Sequence, residues 1–317
     1  MSLTPEFISI VGPTGTGKSA LALDLIEDLR AIGINAEVIN ADAMQFYKGM
    51  DIGTAKLAVE ERRGIRHHLI DWLEVTEEST AANYQEQARA KIAELKSHSI
   101  LPIFVGGSML YLASVLNTFE FPGRDEEIRA ELEEDLIEFG PLEMHKRLDE
   151  LDQVAASRID PANGRRIVRA LEIVMLTGKP FAASLPEQFE SFAPNLQIGL
   201  NSERAHLVER LGKRVNLMWQ KGLLTEVENL VGLGLRDSKT ARQAIGYAQA
   251  LKQIDGEVSQ EDAIAETIQL TSRYARRQMS WFRRDPRINW FDYQEPNLRT
   301  LVLEKVKSAL GDRGSSL

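Results

Sequence analysis

The sequence predicts an α/β fold, a parallel sheet flanked by helices and interrupted by an all-helical insertion. Three observations carry this. Short apolar runs alternate with helical patterns through the first 119 residues, and that βαβα order builds a parallel sheet covered by helices. Twice, at 12–19 and at 106–108, a strand pattern passes through small residues straight into a helix. From about 120 to 190 strand signals stop and charged amphipathic helices take over, before an apolar run at 196–200 returns to the sheet. The expected organisation is a core of residues 1–119 and 191–317 with a helical insertion over 120–190.

In chain order, Phe7-Ile8-Ser9-Ile10-Val11 is a buried strand, and the run from Ser19 to Leu25 opens a helix of good helix formers. Ala36–Ala41 is a second strand. The stretch from Asp42 to Lys56 has two glycines and little periodicity, which marks an ordered functional loop. His67–Asp71 is a candidate short strand, 80–97 a helix, and Ile100–Val105 a strand leading through Gly106-Gly107-Ser108 into a helix from Met109. The insertion contains helices over 125–139, 141–151 and 163–177. After 196–200, helices are expected over 203–221, 223–233, 239–253 and 260–282, then a strand at 288–291 and a helix at 296–310. The tail from 311 to 316 should fray.

Residues 12–19, Gly12-Pro13-Thr14-Gly15-Thr16-Gly17-Lys18-Ser19, fit G-x-x-x-x-G-K-S/T at every fixed position, between a strand and a helix. Glycines let the backbone curl round a phosphate with N–H groups inward, and the helix N-terminus adds partial positive charge. Lys18 would reach over two adjacent phosphates, and the Ser19 hydroxyl would ligate Mg²⁺ bridging their oxygens. A plain glycine turn would have to explain the three glycines, the lysine, the serine and the strand together. The loop therefore points to a P-loop NTPase-like core that binds a nucleotide or a like ligand. ATP and an isoprenoid diphosphate look alike to it.

The chain has 317 residues, 43% hydrophobic and 27% charged, ordinary values for a folded protein. The absence of cysteine excludes disulfides and thiolate metal sites. The N-terminal residues lack the basic and apolar runs of a signal peptide, and no segment has the apolar length of a membrane helix. A cytoplasmic protein is expected, and nothing suggests an obligate protein partner or oligomer. The net charge of −9 argues at first against nucleic acid, but residues 120–150 hold twelve acidic and four basic residues, nearly the whole imbalance. Residues 158–169 carry +3 and residues 273–287 carry +5. Such local basic faces can form an electrostatic footprint whatever the total.

Asp42 ends a strand on the rim where open α/β sheets bind ligands. It could hold Mg²⁺, act as a general base, or cap the following turn. Ser108 could donate to a phosphate, bridge to the acceptor, or cap its helix. Arg210 and Arg214 lie one turn apart and could reach a diphosphate, or pair with Glu209 or Glu226 at the surface. On the helix over 260–282, Arg273, Arg277 and Arg284 share one face, and Tyr274, Gln278 and Trp281 share the next. Arginine beside aromatics suits RNA, while a solvated face over a core explains the spacing as well. The Arg165, Arg166, Arg169 cluster has the same two readings. His67 and His68 are adjacent, poor spacing for joint metal ligation, and read as structural.

Several segments together resemble the tRNA dimethylallyltransferases (tRNA isopentenyltransferases) over about residues 7–292. They are the loop at 12–19, Asp42-Ala-Met-Gln-Phe-Tyr-Lys-Gly-Met-Asp-Ile-Gly-Thr-Ala-Lys at 42–56, His67-His-Leu-Ile-Asp, Val105-Gly-Gly-Ser-Met-Leu-Tyr, Arg166-Ile-Val-Arg-Ala-Leu-Glu, Gln243-Ala-Ile-Gly-Tyr, and Arg273-Tyr-Ala-Arg-Arg-Gln-Met-Ser-Trp-Phe-Arg. The resemblance implies transfer of a dimethylallyl group from dimethylallyl diphosphate to N6 of the adenosine 3′ of the tRNA anticodon. The target base would be flipped into a channel, and the 120–190 insertion would grip the anticodon stem-loop. It implies Asp42 as the general base, and Lys18, Arg214 and Ser19 through Mg²⁺ as stabilisers of the departing diphosphate. It also implies Ser108, where threonine is usual, as a site hydroxyl. Asp42, Ala43, Met44, Gln45, Ser108, Arg129, Arg165, Arg166, Arg169, Gln243, Tyr247, Arg276, Arg277, Gln278 and Arg283 match tRNA contacts. Ala43 departs from a usual serine, removing a hydroxyl beside Asp42, and Ala248 departs from a frequent basic residue. A small-molecule kinase using ATP and a nucleotide-binding switch share the loop, but both leave the insertion and the arginine clusters unexplained.

Overall fold

Alternate residues of one strand set the layering. In the computed structural model, which describes residues 4–118, 121, 123–181 and 190–311, β1 (Phe7–Val11) is buried throughout. Phe7 and Val11 enter one core, Ile8 and Ile10 the other, as a twofold side-chain period requires. After β1 come α1 (Lys18–Ala31), β2 (Ala36–Asn40), β3 (His67–His68), α2 (Ala81–Ser97), β4 (Leu101–Val105) and α3 (Met109–Leu116). Then follow α4 (Glu126–Leu151), α5 (Gln153–Ala156) and α6 (Gly164–Thr177). The chain continues through β5 (Asn195–Asn201), α7 (Arg204–Gln220), α8 (Leu223–Gly232), α9 (Tyr247–Ile254), α10 (Gln260–Phe282), β6 (Ile288–Asp292) and α11 (Leu298–Leu310).

The six strands form one sheet in the order β3-β2-β4-β1-β5-β6, with every pairing parallel. This is the expected α/β class. Apolar residues of α1 and α11 cover one face, and those of α2, α3, α7, α8, α9 and α10 cover the other. Burial on both faces explains why the strands read as continuous apolar runs. It also brings the turns after β1, β2 and β4 to one rim.

The chain divides into two compact units, Met1–Thr118 with Ser191–Leu317, and Phe119–Glu190. In the second unit α4 breaks at Gly140, where φ is 76°, and restarts at Pro141, which matches the two helices read there. Leu132, Met144, Leu148, Ile167 and Leu171 form its core between α4 and α6. Glu172, fully buried, accepts from Arg129 at 3.1 Å and Arg169 at 2.9 Å.

Two local expectations need correction, and one short helix was not expected. The strand read over 67–71 stops at His68, because Leu69 and Asp71 take φ of 54° and 55°. The helix read over 239–253 is a 3₁₀ turn (Ala241–Gln243) and then α9, separated by Gly246 at φ 95°. The four-residue α5 had no sequence signal of its own. The tail expected to fray lies, beyond Gly311, outside the described residues.

Candidate active site

The glycine loop between β1 and α1 is held by its own side chains and by two distant helices. Thr16 Oγ1 donates to the Pro13 carbonyl at 2.9 Å, and Lys18 Nζ donates to the same oxygen at 2.8 Å. From α7, Arg214 Nη2 donates to Thr14 Oγ1 at 3.0 Å. From α10, Gln278 Oε1 accepts the Thr14 N–H at 2.8 Å. Gly12 takes φ 137°, and a Cβ there would stand 2.4 Å from the Leu200 carbonyl oxygen, so the first loop position admits glycine alone.

Asp42 follows β2 on the same rim. Asn40 orients it, accepting the Asp42 N–H at 3.1 Å and donating to its carbonyl at 3.2 Å. Asp42 Oδ1 accepts the Met44 N–H at 3.2 Å, capping the 3₁₀ turn Ala43–Phe46. Ser108 stands at the start of α3 without capping it. Its Oγ accepts the Ala43 N–H at 2.8 Å, tying the β4 turn to the β2 turn.

A cavity of about 200 Å³ is lined by Lys18, Ser19, Asp42, Gln45, Arg210 and Arg214 among others. Burial shapes its charges. Desolvation pulls Lys18 down to about 8, against the opposing pull of Asp42. Desolvation also raises the Asp42 carboxyl above its ordinary range, against Lys18, the Met44 N–H and Arg214. Burial lowers Arg214, and its Nε is buried with no hydrogen-bond partner among the described residues. An unpaired buried guanidinium donor beside an ammonium is suited to an anion. Among the described residues no group of three or more His, Asp or Glu side chains could hold a metal. Ser19 and Asp42 both line the cavity, and residues with hard oxygen donors suit Mg²⁺ when phosphate oxygens complete its shell.

A second cavity of about 570 Å³ shares Ala55, Leu57 and Arg214 with the first. The 51–56 segment forms part of its wall, with Leu217 and Met218 of α7 also lining it. Lys56, 2% exposed in its side chain, bonds Asp51 at 2.7 Å and Asp71 at 2.5 Å. Glu226 accepts from the N–H groups of Asp51, Ile52 and Gly53 at 3.2, 2.7 and 3.3 Å. Tyr247 donates its hydroxyl proton to Glu226 at 2.5 Å.

The structure thus gathers Lys18, Ser19, Asp42, Gln45 and Arg214 in one place. Arg276, Arg277 and Arg283 are exposed on or at the end of α10. Tyr247 and Gln278, both grouped with tRNA contacts by the resemblance, are interior at 0% and 2% exposure. Neither surface pairing offered for Arg210 and Arg214 forms: Glu209 pairs with Lys213, and Glu226 holds backbone. His68 is structural, bonding Glu37 at 2.6 Å, whereas His67 lines the glycine-loop cavity. Sequence reasoning missed Lys56, Glu226 and Tyr274. The Tyr274 phenol lies against Ser108 and Gln278, and burial beside the Asp42 charge pushes it up to about 12. For Lys56 and Glu226 the signal was the 42–56 segment itself, whose polar residues needed partners elsewhere, whereas Tyr274 was legible only as part of a helix face.

A model of the IPP transferase family matches residues 45–285. The tRNA dimethylallyltransferase of Thermobifida fusca (strain YX) is 52% identical over 291 residues, spanning 92% of this chain and 91% of that one. The chain belongs to the IPP transferase family. Among solved structures, the family's tRNA isopentenylpyrophosphate transferase from Bacillus halodurans is 36% identical, with a TM-score of 0.71 and 96% of each chain covered. A eukaryotic dimethylallyltransferase acting on tRNA is 27% identical with a TM-score of 0.78, covering 94% of this chain and 78% of that one. The family match spans Asp42's neighbour Gln45, Ser108, Arg214 and all of α10, while the glycine loop precedes it.

Proposed function

We propose that this protein is a tRNA prenyltransferase that moves a dimethylallyl group from dimethylallyl diphosphate to N6 of the adenosine 3′ of the anticodon. Family membership supports prenyl transfer to tRNA. The observation that carries the chemistry is the meeting of Asp42 with Lys18 and Arg214 in the glycine-loop cavity. The glycine loop, Lys18 and Arg214 bind the diphosphate, and Arg214 Nε supplies a donor that has no partner among the described residues. Ser19, in the same cavity as Asp42, would hold Mg²⁺, which would neutralise part of the diphosphate charge.

The adenine N6 attacks C1 of the dimethylallyl group, the C1–O bond breaks, and diphosphate departs. The N6 proton passes to Asp42. An exocyclic amine is a weak nucleophile, so a base that removes its proton as the bond forms lowers the barrier. Desolvation makes Asp42 a stronger base than a surface carboxylate. Lys18 and Arg214 stabilise charge where it grows on the leaving group. The exposed arginines Arg276, Arg277 and Arg283 take tRNA phosphates, and the 120–190 unit with Arg129, Arg165, Arg166 and Arg169 contributes to gripping the anticodon stem-loop. Gln45 and Gln243 belong to the same contact set. No helix among the described residues is long and apolar enough to cross a membrane, and a cytoplasmic monomer is part of this reading.

The test uses purified protein, Mg²⁺ and unmodified tRNA with an adenosine beside the anticodon. Radiolabelled dimethylallyl diphosphate goes in one tube, γ-labelled ATP with small acceptors in another. Label entering tRNA from the prenyl donor alone is the expected result. No transfer there, with ATP consumed in the other tube, would make the protein a kinase.

A further inference from the structure

Helix α10 has two faces. Arg273, Arg276, Arg277, Arg283 and Arg284 are exposed on it or just past its end, while Gln278 is buried at 2% exposure. The Gln278 carboxamide bridges two loops of the rim, with the Tyr274 phenol also against it. Oε1 accepts the Thr14 N–H at 2.8 Å, and Nε2 donates to the Gly107 carbonyl at 2.8 Å. Those loops follow β1 and β4, which are neighbours in the sheet. Space for the amide exists only because residue 107 is glycine: a Cβ there would stand 2.3 Å from Gln278 Nε2. On its other side Thr14 is held by Arg214 at 3.0 Å. The next loop residue, Gly15, packs against Leu207 and Leu211, which form a small core with Ala275 of α10.

We propose that Gln278 is a positioning residue of the donor site, fixing the start of the glycine loop for the diphosphate, and that it does not contact tRNA. The proposal rests on the prenyl-transfer reading for the identity of the donor. With the Thr14 N–H turned to Gln278, the N–H groups from Gly15 onward are the ones presented to an anion. A loop already held in its binding shape loses less entropy when the anion arrives. Only a carboxamide satisfies both partners. A carboxylate could accept from Thr14 but would face the Gly107 carbonyl oxygen and add negative charge beside an anion. A methionine fills the same length and satisfies neither.

The experiment compares Gln278→Met, Gln278→Glu and Gly107→Ala with the wild type, each checked by thermal unfolding. Inorganic diphosphate is titrated with Mg²⁺ by calorimetry, and unmodified tRNA is titrated separately across a salt series. The KM for dimethylallyl diphosphate and kcat are measured alongside. Loss of a buried hydrogen bond should weaken diphosphate binding about tenfold, more for Gln278→Glu than for Gln278→Met. The donor KM should rise in step, with tRNA affinity and its salt slope as in the wild type. Gly107→Ala, which drives the amide off its partners, should reproduce the donor loss and serves if the Gln278 variants fail to fold. Weakened tRNA binding with diphosphate binding intact would overturn the proposal, and so would no change in either. A wild type that binds diphosphate yet leaves tRNA unmodified would overturn the functional reading and leave the Gln278 assignment standing.

Discussion

Two opposite charges share the glycine-loop cavity, and burial pushes each toward its neutral form. Lys18 is drawn down to about 8, and Asp42 is raised. Neither shift runs to completion because each charge favours the other. For Asp42, the consequence is a base strong enough to take the N6 proton. Asp42→Ala should lower the single-turnover rate by about 10²–10⁴-fold, the range for general base catalysis, with tRNA affinity kept. Weakened tRNA binding with an intact single-turnover rate would count against the base role. For Lys18, a bound diphosphate stabilises the ammonium and raises its pKa above the free-protein value. Donor binding should therefore be full below about pH 8 and weaken as pH rises through it. In a pH series of kcat/KM for the donor, the acid limb follows Asp42 and the alkaline limb Lys18. Lys18→Arg should move the alkaline limb upward, and an unmoved limb would assign it to another group.

At the scale of the element, the 51–56 segment is a loop made rigid from outside. One carboxylate, Glu226 of α8, accepts three successive backbone N–H groups, and Tyr247 of α9 orients that carboxylate. Gln45 donates to the Thr54 carbonyl at 3.1 Å from the other side. The segment then serves as part of the wall of both cavities. Tyr247→Phe removes a hydrogen bond to a charged group inside the protein, a loss of about 1–3 kcal/mol. Faster hydrogen exchange at the amides of 51–53, with tRNA affinity unchanged, is the expected outcome. A fall in tRNA affinity without faster exchange would return Tyr247 to the RNA surface. The sequence showed that this segment carried function but could not show its partners, which lie more than 170 residues further on.

Across the whole molecule, a net charge of −9 coexists with exposed arginine on one helix. RNA binding depends on the local field and on counterion release at the contacted phosphates, so the total charge does not decide it. Arg276→Ala and Arg277→Ala should each weaken tRNA binding and reduce the slope of log K against log salt by about 1. An unchanged slope would make these arginines a solvated face. The acidic balance resides in the 120–150 stretch, where most carboxylates are on the exposed side of α4.

The sequence by itself determined the sheet, the glycine loop, Asp42 at a strand end and the family, because each is written in contiguous residues. Apolar runs report strands through their burial, and the loop motif reports its own backbone. What only the tertiary structure decided is which polar side chains face inward. Gln278 and Arg276 belong to one helix two residues apart, and spacing alone permits either to meet RNA. Packing of α10 against the rim buries the first and leaves the second exposed. Glu226, Lys56 and Tyr247 were unreadable for the same reason: a buried polar group must be paired, and its partner is chosen by contacts between segments far apart in the chain.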